Sequence, residues 1–168
     1  TFEKGIYLLG GQSILFPSET LNKKEDLKDV CGYLNNWADL VIVRHKDIRL
    51  LEKMAAYLKV PIINAMTDVN HPCEILSDMY ALSKMRKDFL RDHFLFVGER
   101  GNIGLAWKEA SEVMDFHWNN AVLNPCPPFY HGEEVSREVI ESNFFVGYEF
   151  KKCLLEVQQA IMLFYLTQ

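Results

Sequence analysis

The stretch Leu40-Val41-Ile42-Val43-Arg44-His45 decides the fold class of this chain. Four apolar, mostly β-branched residues followed by two polar ones are typical of a buried strand that ends at the edge of a sheet. The stretch Val60–Asn64 has the same character, and Ile48–Leu58 between them repeats apolar residues at helical spacing. A strand, a helix and a second strand in this order predict a parallel βαβ unit.

The alternation of strands and helices extends in both directions from this unit. It predicts helices over Thr1–Leu9, Asp26–Trp37, Pro72–Met85, Ile103–Met114, Glu133–Ile140 and Glu149–Leu166. It predicts further strands over Ser13–Phe16, Phe94–Val97, Asn120–Leu123 and Phe144–Val146. This pattern indicates an α/β fold of two parallel-sheet halves with helices on both faces. We interpret the charged stretch Arg86–Asp92 as the connector between them.

The composition excludes several classes of protein. The 168 residues carry 18 Lys+Arg against 23 Asp+Glu, a net charge of −5, so a basic surface for nucleic acid is not expected. No apolar run approaches the roughly 20 residues that span a bilayer, so no membrane partner is expected either. We interpret the widely spaced cysteines as reduced thiols of a cytoplasmic protein, with two disulfides as the alternative. They are Cys31, Cys73, Cys126 and Cys153.

Polar side chains follow the predicted strands at their carboxyl ends, where α/β folds bind ligands. The planar guanidinium of Arg44 suits a phosphate or carboxylate, and a surface ion pair with Asp47 is the alternative. His71 precedes a helix that starts at Pro72, whose free N–H groups and dipole favour an anion and a neutral imidazole. The alternative is that His71 and Asn70 merely cap this helix.

Two later turns carry weaker signals. Gly98–Gly104 follows a strand and opens a helix, but its glycine spacing differs from G-x-G-x-x-G. Nucleotide binding is therefore weakly supported, and a tight turn is the alternative. Asn124–Pro128 is a rigid turn rich in proline, which alone indicates no function.

Taken together, these segments resemble the aspartate/ornithine carbamoyltransferase family. Val60–Asp68 followed by His71–Asp78 is similar to the ornithine-branch pattern V-P-V-I-N-A-L-T-D-x-x-H-P-C-Q-x-L-A-D. Asp39–Arg44 resembles the strand whose terminal Arg binds carbamoyl phosphate. Phe96–Asn102 resembles the G-D-G-N-N turn, and Leu123–Pro128 resembles the His-Cys-Leu-Pro loop.

The resemblance implies transfer of the carbamoyl group of carbamoyl phosphate to the amine of an amino acid, ornithine in the most similar branch. Arg44 and His71 would be the catalytic residues, which polarise the carbonyl and stabilise the oxyanion. Both would also bind carbamoyl phosphate, together with Glu74 and Lys23. The acceptor would be bound by residues of the later turns, namely Asn102, Leu123, Asn124, Pro125 and Cys126. No metal or organic cofactor is implied.

The resemblance also implies a domain organisation. Residues 1–86 would be the remainder of a carbamoyl-phosphate-binding domain, residues 92–147 part of an amino-acid-binding domain, and residues 148–168 a helix that packs back on the first half. Lys23 lies in a segment similar to a loop that reaches into the neighbouring subunit's site, which implies a homotrimer with sites at subunit interfaces. A solvated mixed-charge loop is the alternative for Lys23–Asp26.

The chain departs from the family pattern at several positions. Glu74 replaces the usual Gln and would repel an anionic ligand if ionised, while Asn124, Cys126 and Pro128 replace the His, Leu and Arg of the later loop. The usual Glu-Asn-Arg is not visible around Glu149–Cys153. These departures leave two alternatives: a transcarbamylase with another amine acceptor, and a non-catalytic relative that binds a small anion or assembles with a partner.

Two family segments have no counterpart in the chain. The Ser-Thr-Arg-Thr-Arg phosphate loop would end before Thr1, and the segment with the Ser-Met-Gly acceptor loop is missing between Met114 and Leu123. We therefore expect the sequence to represent an incomplete molecule, with a join near Asp115–Asn119.

Overall fold

The computed structural model describes residues 1–22, 24–91, 101–115, 135–142 and 145–168. The helices in these ranges are α1 (Phe2–Leu8), α2 (Leu27–Leu34), α3 (Ile48–Tyr57), α4 (Pro72–Met85), α5 (Asn102–Met114), α6 (Arg137–Ile140) and α7 (Cys153–Leu166). The strands are β1 (Val41–Arg44) and β2 (Ile62–Met66), and short 3₁₀ helices cover Ser18–Asn22, Phe89–Arg91 and Tyr148–Lys152. In the part of the chain so described, no helix has both the length and the apolar character that crossing a membrane requires.

The two strands form the parallel pair that the sequence predicts. Val41 lies opposite Ile62 and Val43 lies opposite Asn64, after which the register shifts and Arg44 lies opposite Met66. Such an irregularity bends a strand locally and changes the direction in which its last side chains point. It lies at the carboxyl ends of the strands, where the sequence places the candidate site.

Successive side chains of the strands face opposite sides of the sheet, and helices cover both. Val43 packs with Cys31, Leu51 and Met54 of α2 and α3 on one side. Ile63 packs with residues of α4 and α7 on the other side, among them Cys73 and Met162. The predicted α/β class with helices on both faces is therefore confirmed for this sheet.

The last helix packs back on the first half, as expected, against α1 and α4. Gly5 permits the close approach of α1, because a Cβ atom at this position would lie 3.2 Å from Gln159 Cγ and 3.3 Å from Met162 Cε. The Gln159 side chain also donates a hydrogen bond from Nε2 to the Gly5 carbonyl oxygen, at 3.1 Å. The two helices are thus joined by packing and by a polar contact.

A further apolar cluster joins α4, α5 and the 3₁₀ helix that precedes α7. Ile75 and Met79 of α4 pack there with Trp107 of α5 and with Phe150. Burial of a side chain as large as phenylalanine contributes roughly 1.5–3 kcal/mol. Phe150 therefore anchors the 3₁₀ helix and fixes the position of the next residue, Lys151.

The strand predicted over Ser13–Phe16 is wrong, because this segment is irregular in the structure. Ile14 and Leu15 are 79% and 78% exposed. The apolar run satisfies the local pattern of a strand, but a strand also needs a neighbour for its backbone N–H and C=O groups. No described strand lies beside this segment.

Other predicted boundaries shift or cannot be compared. The closing helix begins at Cys153 rather than Glu149, and a 3₁₀ turn takes its predicted first residues. The strands predicted over Phe94–Val97 and Asn120–Leu123, and all but Asp115 of the expected join, lie outside the described residues. Of the cysteines, three carry free thiols and Cys126 lies outside the described part; the three are Cys31, Cys73 and Cys153.

Candidate functional site

The carboxyl ends of β1 and β2 are held side by side by the loops that follow them. The His45 N–H donates to the Met66 carbonyl oxygen at 3.1 Å, and the Asp68 N–H donates to the Lys46 carbonyl oxygen at 2.9 Å. Arg44 ends β1 at this edge and is exposed to solvent. The edge therefore presents a guanidinium on a fixed backbone.

The surface ion pair considered for Arg44 does not form. The Asp47 carboxylate instead accepts hydrogen bonds from the Arg49 side chain, from Nε at 3.0 Å and from Nη2 at 3.1 Å. It also accepts from the Arg49 backbone N–H at 3.1 Å and thereby caps α3. Asp47 is a helix cap, and Arg44 does not depend on it.

A compact turn leads from β2 to α4. Thr67 is fully buried, and its N–H donates to the Asn70 carbonyl oxygen at 2.8 Å. The Asn70 N–H donates in return to Thr67 Oγ1 at 3.0 Å. Pro72 then occupies the first turn of α4, where its missing N–H costs no helical hydrogen bond. The turn fixes His71 at the N-terminus of the helix.

His71 does not serve as a side-chain cap. It occupies the cap position of α4 but makes no capping hydrogen bond, and its Nδ1 atom is buried with no hydrogen-bond partner in the described part of the chain. Burial lowers the pKa of the imidazole, the charges of Arg44 and Lys151 lower it further, and Glu74 opposes them. The site therefore contains a neutral histidine that can donate a hydrogen bond to a carbonyl oxygen.

The lowered pKa of His71 gives a pH dependence that can be measured. A histidine that favours the neutral form in the folded state stabilises the protein above its ordinary pKa of 6.5, and this contribution is lost as the pH falls through the lowered value. We expect the free energy of unfolding, measured by denaturant titration, to fall more steeply between pH 7 and pH 5 in the wild type than in His71→Gln. Equal slopes would contradict the assignment.

Asn102 lies against the turn after β2. Its Nδ2 donates to the Thr67 carbonyl oxygen at 2.8 Å, and Asn70 Nδ2 donates to Glu109 Oε2 on the same helix. The N-terminal part of α5 is therefore joined to the turn that presents His71. The predicted acceptor-binding role of Asn102 stays a prediction, and the amide has a positioning contact in this structure.

Glu74 takes part in a buried ion cluster that the sequence did not predict. Lys151 Nζ lies 2.7 Å from Glu74 Oε1 and 2.7 Å from Asp78 Oδ1, and the three side chains are only 13%, 6% and 2% exposed. Burial acts to lower the pKa of Lys151, but the two carboxylates outweigh it and raise the pKa. The one sequence signal for this lysine was the departure at Glu74, since a carboxylate beside an anion site needs a cation.

Cys73 is a structural thiol. Its Sγ donates to the Asn64 carbonyl oxygen at 3.5 Å, and burial raises the pKa of the thiol to about 11. A protonated, buried thiol is a poor nucleophile. Cys73 therefore holds β2 against α4 and is not a candidate for covalent catalysis.

The remaining predicted site residues fall where the structure gives no description. They are Lys23, Leu123, Asn124, Pro125 and Cys126. Among the described residues, Arg44, His71 and Glu74 come together at one edge of the sheet, and Asn102 contacts the loop that presents His71. The described site therefore consists of the anion-binding half of the prediction.

Comparison with known sequences identifies relatives of this chain. The family described as "Aspartate/ornithine carbamoyltransferase, carbamoyl-P binding domain" matches residues 1–84. Ornithine carbamoyltransferase of Chlorobaculum tepidum is 31% identical over 147 residues, which are 85% of this chain and 42% of that protein. That of Azoarcus sp. is 33% identical over 135 residues, 79% of this chain and 42% of that protein. The chain thus spans less than half the length of these curated relatives.

Solved structures share the fold. Ornithine carbamoyltransferase from Burkholderia thailandensis superposes with a TM-score of 0.88 at 21% identity, covering 98% of this chain and 79% of that one. The enzyme from Pyrococcus furiosus gives a TM-score of 0.84 at 18% identity, and the match covers 99% of this chain and 79% of that one. At these identities the likeness establishes the fold.

Proposed function

The chain belongs to the aspartate/ornithine carbamoyltransferase family, and from that membership we propose that the whole protein transfers the carbamoyl group of carbamoyl phosphate to an amino-acid amine, with ornithine as the acceptor. The observation that supports this most is a neutral, half-buried His71 at the N-terminus of α4, close enough to Arg44 for the charge to lower its pKa. A helix N-terminus with a guanidinium beside it suits a phosphate group.

The proposed reaction uses these two side chains to polarise one carbonyl group. Arg44 and His71 donate hydrogen bonds to the carbonyl oxygen of carbamoyl phosphate, and these bonds strengthen as the oxygen becomes an oxyanion. The acceptor amine forms a bond to the carbonyl carbon, the bond from that carbon to the bridging oxygen breaks, and phosphate leaves. The proton lost by the amine leaves on the phosphate, and ornithine is converted to citrulline.

The proposal extends to domains and partners. Residues 1–86 would be the remainder of the carbamoyl-phosphate-binding domain, residues 92–147 part of the domain for the amino acid, and residues 148–168 the closing helix. Glu74 and Lys23 would lie at the phosphate side, and Asn102 with residues 123–126 would bind the acceptor. Because Lys23 would reach a neighbouring site, we propose a homotrimer. The free thiols of Cys31 and Cys73 support a cytoplasmic location.

The test is an assay of the complete protein with carbamoyl phosphate and a panel of amines. We expect citrulline and phosphate in equal amounts with ornithine. Turnover with a different amine would support the related transcarbamylase instead, because the predicted acceptor loop departs from the family pattern. Binding of carbamoyl phosphate in a calorimeter without turnover of any amine would support a non-catalytic anion-binding relative. If the complete protein neither binds carbamoyl phosphate nor turns over any amine, the proposal is overturned.

A further inference from the structure

Lys151 lies far in sequence from the residues of the candidate site, but it forms a cluster with Glu74 and Asp78 of α4. Glu74 and Asp78 are four residues apart on α4, so their carboxylates share one face of the helix and repel each other. Lys151 Nζ lies between them, 2.7 Å from Glu74 and 2.7 and 2.9 Å from the two oxygens of Asp78. A buried carboxylate requires such a partner, since unpaired burial of a charge is costly.

The cluster belongs to the candidate anion site by position. Glu74 lies in the first turn of α4, three residues after His71. The charges of both Glu74 and Lys151 act on the His71 imidazole, as does that of Arg44. An ionised Glu74 without a counterion would oppose any anion at this helix end, since like charges repel over several ångströms.

We propose that Lys151 is a positioning residue for anion binding: its ammonium holds Glu74 in a buried ion pair and cancels the charge that would repel a phosphate group at the N-terminus of α4. The inference rests on the proposed function, because it assumes that carbamoyl phosphate is the anion. It also connects the segment before α7 to the site. Phe150, buried between α4 and α5, sets the position from which Lys151 reaches the two carboxylates.

The test measures the dissociation constant of carbamoyl phosphate for the complete protein by calorimetry. We expect Lys151→Met to weaken binding about tenfold or more, and a second change, Glu74→Gln, to restore most of it. The matched control is Lys84→Met. Lys84 forms an ion pair with Glu156 at 2.8 Å that also joins α4 to α7, but it is 47% exposed. This control should bind like the wild type.

Glu74→Gln alone keeps the test decisive if Lys151→Met does not fold. This variant retains the pair of Lys151 with Asp78 and removes one negative charge from the site. We expect it to bind carbamoyl phosphate several-fold more tightly than the wild type. Equal or weaker binding would overturn the inference. Equal binding of carbamoyl phosphate by folded Lys151→Met and wild type would also overturn it and leave the proposed function intact.

A titration of His71 by NMR tests the role of Lys151 separately from the proposed function, because it needs no ligand. Among the described residues, the groups whose charges act on this imidazole are Arg44 from β1, Glu74 from α4 and Lys151 from the 3₁₀ helix. We expect the pKa of His71 to rise in Lys151→Met and to fall in Glu74→Gln. If the wild type binds no carbamoyl phosphate, the proposed function fails. The direction of these shifts then still decides whether Lys151 compensates the charge of Glu74.

Discussion

Replacement of His71 by alanine lowers kcat of the complete enzyme by about 10²–10⁴-fold while the fold stays intact. The imidazole is the proposed donor to the carbonyl oxygen, and burial together with Arg44 keeps it in the neutral form at pH 7. It makes no capping hydrogen bond, so its removal takes no such bond from α4. The loss should therefore appear in turnover while the folded structure is retained.

The measurement for His71→Ala is steady-state citrulline formation at saturating carbamoyl phosphate, with circular dichroism to verify the fold. His45→Asn is the matched control. His45 lies just after Arg44, and its Nδ1 accepts a hydrogen bond from the Asp47 N–H at 3.1 Å. Asparagine can replace that acceptor, so kcat should change less than threefold. Unchanged turnover in His71→Ala would show that His71 has no role in the reaction.

Replacement of Lys151 by methionine lowers the free energy of unfolding by about 3–5 kcal/mol. The substitution leaves two buried carboxylates, Glu74 and Asp78, without the ammonium that lies 2.7 Å from each. Lys84→Met should cost far less, because its ion pair with Glu156 is exposed and screened by water. Denaturant titration of the two variants at one pH makes the comparison, and equal losses would contradict it.

The contribution of Lys151 also has a defined pH range. Its pKa is raised above the ordinary value of 10.5. Such a group stabilises the fold fully below its ordinary pKa, and the contribution is lost as the pH rises through the raised value. The difference in stability between the wild type and Lys151→Met should therefore persist at neutral pH and shrink in strongly alkaline solution.

Local signals in the sequence predicted most of the first half. An apolar run that ends in Arg44 defines β1, and Pro72 marks the start of α4, because both features report on a few neighbouring residues. The segment Ser13–Phe16 shows the limit of such signals. Its apolar residues are as suitable for a strand as those of β1, but pairing depends on a partner elsewhere in the chain. The pattern itself carries no information about that partner.

In the candidate site, too, local sequence signals indicate some residues and only the tertiary packing reveals others. Arg44 and His71 are candidates because they lie at the ends of predicted elements, and the resemblance to the carbamoyltransferase family implied their roles. The contact of Lys151 with Glu74 spans 77 positions, and that of Asn102 with Thr67 spans 35. Both depend on how α4, α5 and α7 pack. No local spacing encodes that packing, although Glu74 in place of the family's Gln indicated that a cation lies nearby.

The packing of α7 against α1 and α4 also affects how this chain folds during synthesis. Met162 completes the cluster that covers Ile63 and Cys73, but α4 ends at Met85 and α7 begins at Cys153. A ribosome adds roughly 5–20 residues per second, so α7 is synthesised at least roughly 3 s after α4. During that interval the face of the sheet that contains Ile63 is covered by α1 and α4 but lacks α7. Completion of this cluster therefore requires a contact between segments that are far apart in sequence, and such contacts are typical of slow folding.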